Sequence, residues 1–318
     1  MTDKKHLLWL AILVQLSVAF CATAKDYNLL LADHTQKHLF IRSAAGEIVW
    51  KHPGKALFEA WMQRDGSIIY STRATVERIY PDLKSGTGGK VAWRYQFGTG
   101  LNAKEVPKGM IIGCSPLKNG NFMITETGTY RLVEISPEGK VVNSITLPPP
   151  KASLQYSLRL TRQTASGTYL VSRFGEGKFI EFDQSGKQVR EIPVGRYCSD
   201  SENSAYEALP LKDGRLLVSC GPQNQIMILD ANGKPEWKLE AKELEGRINL
   251  FWITKLVPLE NGNIIVCNYC KGNAKTIAFE ITRDKKIVWA LSDSRIKGLT
   301  TLQLLNDDYR PLTRGWAQ

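Results

Sequence analysis

The sequence predicts an all-β fold, a six-bladed β-propeller closed by pairing of its C-terminal strand with its N-terminal blade. Three observations predict it: a recurring hairpin phrase, a recurring closing phrase, and a last strand with no sheet of its own. The hairpin phrase runs Asp-Gly-Ser-Ile-Ile-Tyr-Ser (65–71), Asn-Gly-Asn-Phe-Met-Ile-Thr (119–125), Ser-Gly-Thr-Tyr-Leu-Val-Ser (166–172), Asp-Gly-Arg-Leu-Leu-Val-Ser (213–219) and Asn-Gly-Asn-Ile-Ile-Val-Cys (261–267). Asn-Gly or Asp-Gly between apolar runs signals a tight hairpin, in which both central residues are expected at positive φ.

The closing phrase is Gly-Glu-Ile-Val-Trp (46–50), Gly-Lys-Val-Ala-Trp (89–93), Gly-Lys-Val-Val-Asn (139–143), Gly-Lys-Gln-Val-Arg (186–190) and Gly-Lys-Pro-Glu-Trp (233–237). A sixth copy, Lys-Lys-Ile-Val-Trp (285–289), lacks the glycine. The closing positions 50, 93, 143, 190, 237 and 289 lie 43, 50, 47, 47 and 52 residues apart, a period that suits four strands per blade. The strand ahead of each hairpin completes the blade, as in 156–160, 206–211 and 251–259. The first unit begins at Tyr27–Leu31, which matches a second strand, whereas Leu299–Leu305 matches a first strand followed by nothing. Circular closure reconciles the two ends and protects a raw sheet edge. Trp50, Trp93, Trp237 and Trp289 share one repeat position and are expected as wedges between blades, where stacked sheets bury each other's faces. The run Pro148-Pro149-Pro150 is expected to stiffen the link between the third and fourth blades.

Residues 1–24 read as a signal peptide, with residues 25–318 as a single propeller domain. Lys4 and Lys5 precede an apolar run from Leu7 to Phe20, and Ala22-Thr23-Ala24 offers the small residues a signal peptidase needs. The run is short for a bilayer span, which takes about 20 residues. The expected location is therefore outside the cytoplasm, periplasmic or secreted, with no stable membrane span after cleavage. Removing Lys4, Lys5 and Asp3 takes 42 basic and 31 acidic side chains to 40 and 30, a net charge of +10. The basic residues are scattered, so a nucleic-acid partner is not expected.

The strand ending Ile226–Asn232 with its Gly-Lys-x-x-Trp closure resembles the repeat of the PQQ-like (quinoprotein alcohol dehydrogenase-like) β-propeller superfamily, across essentially the whole mature chain. Dehydrogenases of that superfamily use eight blades, a vicinal-cysteine ring and an acidic calcium site. Six units and the lack of an adjacent cysteine pair depart from that pattern, so neither PQQ nor any other cofactor is expected.

In a propeller, the turns after the second strands and the loops between blades share one face around the channel mouth. Aligning the six second-strand ends places Asp33, Thr72, Glu126, Arg173, Cys220 and Asn268 at one repeat position, followed by His34 and Arg73. Positions equivalent by symmetry carry different polar groups, the pattern of a binding site grafted on a repeated scaffold. The longest loops on that face are 97–109 and 194–206. His34, His38 and His52 cluster in the first unit, where surface or packing roles are expected. Cys198, Cys220, Cys267 and Cys270 are candidates for one or two structural disulfides; unpaired thiols or a metal site are the alternatives, and the reading adopted has no metal. No Ser/His/Asp order, phosphate loop or calcium loop appears, and no catalytic residue is assigned. The expected function is an exported, non-catalytic propeller binding a protein or saccharide at its mouth. The alternative is a hydrolase or lyase on a glycan or other anionic substrate, with Glu126, Asp33 or His34 as acid or base and Arg73 or Arg173 holding the anion.

Overall fold

The computed structural model describes residues 26–198, 202, 204–269 and 275–312, so the proposed signal segment and Cys270 lie outside the described residues. Twenty-four strands form six antiparallel sheets of four. Blade 1 holds β1 (Asn28–Asp33), β2 (His38–Arg42) and β3 (Ile48–Pro53); blade 2 holds β4 (Glu59–Met62), β5 (Ile68–Ser71), β6 (Thr75–Pro81) and β7 (Gly89–Gln96). Blade 3 is β8 (Met110–Pro116), β9 (Phe122–Thr127), β10 (Arg131–Ile135) and β11 (Val141–Thr146); blade 4 is β12 (Thr161–Gln163), β13 (Tyr169–Arg173), β14 (Lys178–Phe182) and β15 (Gln188–Pro193). Blade 5 is β16 (Glu207–Pro210), β17 (Leu216–Ser219), β18 (Gln225–Leu229) and β19 (Pro235–Glu240); blade 6 is β20 (Ile253–Pro258), β21 (Ile264–Asn268), β22 (Ala278–Ile281) and β23 (Ile287–Leu291).

The last strand, β24 (Leu299–Leu305), pairs with β1 and completes blade 1 as its inner strand, with Leu30 opposite Gln303 and Leu31 opposite Leu302. The inner strands β24, β4, β8, β12, β16 and β20 contact one another in that order and return to β24, so the ring is closed. Asp33 fastens the closure from the side. Its carboxylate accepts the backbone N–H groups of Lys297 and Gly298, just ahead of β24, and those of Thr35 and Gln36 in its own turn.

The hairpin turns differ in one respect from expectation. The glycine alone takes positive φ, as at Gly66 (85°) and Gly214 (81°). The backbone pairs Gly66 N–H with Gln63 O and Gln63 N–H with Ser67 O, and the pattern repeats at Gly120, Gly167, Gly214 and Gly262. This is the three-residue loop, a type I turn ending in a left-handed residue, in which Asn or Asp need not leave the right-handed region. The sixth closing phrase keeps the same turn without its glycine, because Lys285 adopts φ 62°.

Apolar side chains fill the seams between blades; one such core joins Leu209, Leu217 and Ile226 of blade 5 to Leu256, Val266 and Phe279 of blade 6. The repeated tryptophans cross these seams with a hydrogen bond as well as bulk. Trp50 Nε1 donates to Gly88 O of blade 2 (2.8 Å), Trp93 Nε1 to Pro137 O of blade 3 (2.9 Å), and Trp237 Nε1 to Arg283 O of blade 6 (2.8 Å). Trp289 Nε1 donates to Asp26 Oδ1 ahead of β1 (3.2 Å). Blade 4 has Arg190 at this position, and its guanidinium makes the corresponding bond to Ala231 O of blade 5 (3.0 Å).

Because Asp33 is fully buried and its charge holds four backbone donors, Asp33→Ala should destabilise the fold by about 2–4 kcal/mol in urea unfolding, several times the effect of an ordinary surface change. An unchanged unfolding midpoint would show that β24 is held by its strand pairing alone.

Candidate functional site

The axis of the ring is filled by charge. Glu59 on β4, Arg162 on β12, Glu207 on β16 and Lys255 on β20 project from four inner strands and meet at the centre, all but fully buried. Arg162 Nη2 lies 2.5 Å from both Glu59 Oε1 and Glu207 Oε1, and Lys255 Nζ lies 2.8 Å from Glu207 Oε1 and 3.4 Å from Glu59 Oε1. The second carboxylate oxygens are also used: Glu59 Oε2 accepts Cys114 N–H and Glu207 Oε2 accepts Leu256 N–H. Trp61 covers both cations, with Lys255 Nζ 4.3 Å and the Arg162 guanidinium carbon 5.6 Å from its ring centre. Two acids and two bases leave the cluster neutral. Burial works against the Glu207 carboxylate, but the charges of Lys255 and Arg162 outweigh it and hold its pKa below the ordinary 4.5.

On the mouth side lies a cavity of about 270 Å³, with Ile112, Thr254 and Thr300 of β8, β20 and β24 among its lining. One wall is aromatic. Tyr206 and Trp252, the residues just before β16 and β20, stand edge to face at 6.1 Å, backed by Phe174. Arg159 lies in this wall with its guanidinium 4.3 Å over the Phe174 ring, donating to the carbonyls of Gln155 and Leu158. Burial pulls its pKa down, and burial pushes the Tyr206 hydroxyl up to about 12. The other wall carries His34, Phe58 and Tyr269, with ring centres 5.4 Å (His34–Phe58) and 6.2 Å (His34–Tyr269) apart, and the exposed Arg73. No Asp or Glu is among the described lining residues. The cavity therefore has two guanidiniums, one imidazole and several ring faces, and its lining residues Phe58, Tyr206 and Thr254 are followed in the chain by the cluster residues Glu59, Glu207 and Lys255.

The structure brings together His34 and Arg73 of the eight ring residues and employs the others nearby in holding loops. Asp33 clasps the closure described above. Thr72 Oγ1 accepts the N–H groups of Ala74 and Thr75 in its own turn. Glu126 accepts Tyr95 O–H, Gly98 N–H, Thr129 O–H and Arg131, anchoring the loop after β7. Arg173 donates to Pro148 O, fastening the proline run, and its cation lies 5.7 Å from the Phe182 ring centre. Asn268 accepts Phe251 N–H and donates to Asn249 O and Thr276 O. Five of the six residues at the second-strand ends thus anchor loop backbone with their side chains. His38 bonds Gln36 O and stacks on Phe40, and His52 stacks on Trp50, consistent with packing.

Cys220 is buried beneath the loop after β15, its sulfur 3.0 Å from that of half-buried Cys198. Cys267 packs with Leu299 and Leu302 in the seam of blades 6 and 1, away from the core of blades 4 and 5 that holds Cys220 with Cys198 beside it. Among the described residues no group of three His, Cys, Asp or Glu is placed to hold a metal ion, and no helix is long and apolar enough to cross a membrane.

The axial cluster and the cationic wall escaped the repeat alignment because it compared second strands, not first. The signal was present in part: a charged residue inside the largely apolar first strands at Phe58–Met62, Tyr206–Leu209 and Ile253–Val257, whereas Arg162 sits in the polar Leu-Thr-Arg-Gln of 160–163.

No protein-family profile matches the chain, and no curated protein matches it. Solved structures do. A protein of unknown function from Bacteroides caccae is 20% identical with a TM-score of 0.73, over 87% of this chain and 98% of that one. Virginiamycin B lyase from Staphylococcus aureus is 13% identical with a TM-score of 0.54, over 85% of each chain. A catalytically inactive form of that lyase with quinupristin is 14% identical with a TM-score of 0.55, over 86% of this chain and 87% of that one. The lyase is a six-bladed β-propeller, a fold related to the PQQ-like superfamily. At such identities the likeness shows the fold.

Removing Arg162 would leave Lys255 alone between two buried carboxylates. Arg162→Met should destabilise the protein by about 3–5 kcal/mol in chemical unfolding. The stabilisation from the depressed Glu207 pKa is complete above its unfolded value near 4.5 and declines as pH falls through the lower folded value. Wild-type stability should therefore drop on acidification below about 4.5, and Glu207→Gln should flatten part of that drop. A flat wild-type profile there would contradict a charged axis.

Proposed function

We propose that the chain is an exported, non-catalytic binding propeller of the PQQ-like repeat type, with residues 1–24 serving as a cleaved signal peptide. It takes a small anionic ligand with a flat apolar face at the mouth of the ring. One observation carries the reading: the mouth cavity places Arg73 and Arg159 among aromatic rings, with no carboxylate among its described lining residues. A guanidinium already covered by protein and left without an acid partner gains most from an anion that enters, because charge-assisted hydrogen bonds strengthen in a low-dielectric site. Trp252 and Tyr206 supply the face on which a sugar ring or other planar group packs. An acidic saccharide meets both demands.

One detail favours the alternative, a lyase or hydrolase on the same class of ligand. His34 Nδ1 lies 3.0 Å from Leu57 O, and because a carbonyl only accepts, Nδ1 carries a proton there and Nε2 is the ring nitrogen left for a ligand. The binding reading is preferred because no acid among the described lining residues completes a proton-transfer pair, Asp33 and Glu126 being engaged with loop donors.

Calorimetric titration with glucuronate- and galacturonate-containing oligosaccharides, each beside its neutral counterpart, tests this. Acidic members should bind, with affinity falling as salt rises. Arg159→Gln and the surface variant Arg73→Gln should each weaken binding by roughly tenfold or more. Equal binding of neutral counterparts, or retention of affinity in both variants, would reject the anion site. Turnover of a bound saccharide that His34→Gln abolishes would establish the enzyme reading instead.

A further inference from the structure

We propose that Cys198 and Cys220 form a disulfide that pins the loop between blades 4 and 5 to the second strand of blade 5, a cross-link independent of what the mouth binds. The two sulfurs lie 3.0 Å apart, and a disulfide is about 2.05 Å long, so an approach of about 1 Å joins them. Both backbones are already fixed. Cys198 ends a short turn over Gly195–Tyr197, its N–H on Gly195 O and its sulfur 3.6 Å from Val194 O. Lys238 of β19 donates to Tyr197 O (2.8 Å) and ties that turn to the outer strand of blade 5. Cys220 follows β17 with its N–H on Gln225 O, and its side chain belongs to the apolar core with Phe179, Val194 and Val218. The sulfur of one lies where the other can attack without unfolding either.

The bond closes a loop of 22 residues that contains Tyr206 of the mouth wall and Glu207 of the axial cluster. Holding that loop at both ends fixes an inter-blade connection that serves both features. The redox step needs an oxidant of the disulfide class. Cys198, the more accessible thiol, attacks as thiolate and forms a mixed disulfide, releasing one reduced thiol. Cys220 then attacks the Cys198 sulfur and releases the second, so the pair loses two protons and two electrons to the oxidant. The Cys198 sulfur and then burial push the Cys220 thiol well above its usual range, which suits it to the second attack and not the first.

The full chain is incubated with oxidised glutathione, capped with a thiol-alkylating reagent and digested with trypsin without reduction. The expected product joins the peptides 197–212 and 216–238, lighter than their sum by two hydrogens and split by a reductant. Reduction should lower the melting temperature of the oxidised wild type, and should leave that of Cys198→Ser, which keeps the buried Cys220 in its core, unmoved. Recovery of both cysteines fully alkylated, a Cys198 link to any other cysteine, or an equal reductant effect in Cys198→Ser would each overturn the pairing. None of these outcomes depends on whether the mouth takes an anion.

Discussion

The neutral cluster of Glu59, Arg162, Glu207 and Lys255 is the constraint on which the rest of the molecule depends. A propeller built from near-identical sheets leaves an axial channel, and whatever fills it decides whether the ring is a tube or a cup. Apolar side chains would fill it by packing alone. Here two acids and two bases from four blades meet under Trp61, each carboxylate also gripping a backbone N–H. A buried ion pair contributes little net stability when complete and costs several kcal/mol when one partner is missing. Its effect is to make the mutual position of the blades specific, since a shift of one blade would strand a charge.

The outer rim uses a repeated contact for the same end. Trp50, Trp93, Trp237 and Trp289 each send an indole N–H across a seam to the next blade, or in the last case to the segment that begins the first. Arg190 of blade 4 makes the same contact with a guanidinium in place of an indole. Closure at β24 brings the chain's ends into the same scheme, with Asp33 fastening the final strand by its backbone.

The blade count, the closure and the wedge tryptophans were legible because repetition samples the same physics six times. Asn-Gly and Asp-Gly turns, Gly-Lys-x-x-Trp endings and the orphan strand at 299–305 report backbone demands that sequence expresses directly. The turn class was less legible: a glycine at positive φ is visible, but whether its neighbour joins it depends on how many residues the loop closes over. Of the ring after the second strands, His34 and Arg73 face the cavity, and the alignment could not separate them from Asp33, Glu126, Arg173 and Asn268. A polar residue at a strand end satisfies loop backbone or meets a ligand with the same side chain, and only the partners distinguish the two. Arg159, Tyr206 and Trp252 were hidden for a different reason. They sit in inter-blade connections of unequal length, where no repeat register applies.

The cavity inherits its character from what lies beneath it. With the axis internally neutralised, the charge of the mouth is that of its own walls, whose described residues hold cations and rings without acids. Anomalous diffraction from crystals of the protein soaked in bromide tests this arrangement directly. The account predicts bromide in the cavity against Arg159 and Arg73 and none along the axis below Thr254 and Thr300. Bromide beside Arg162 or Lys255, or a cavity without it at concentrations that mark other surface cations, would contradict a closed axis beneath a cationic mouth.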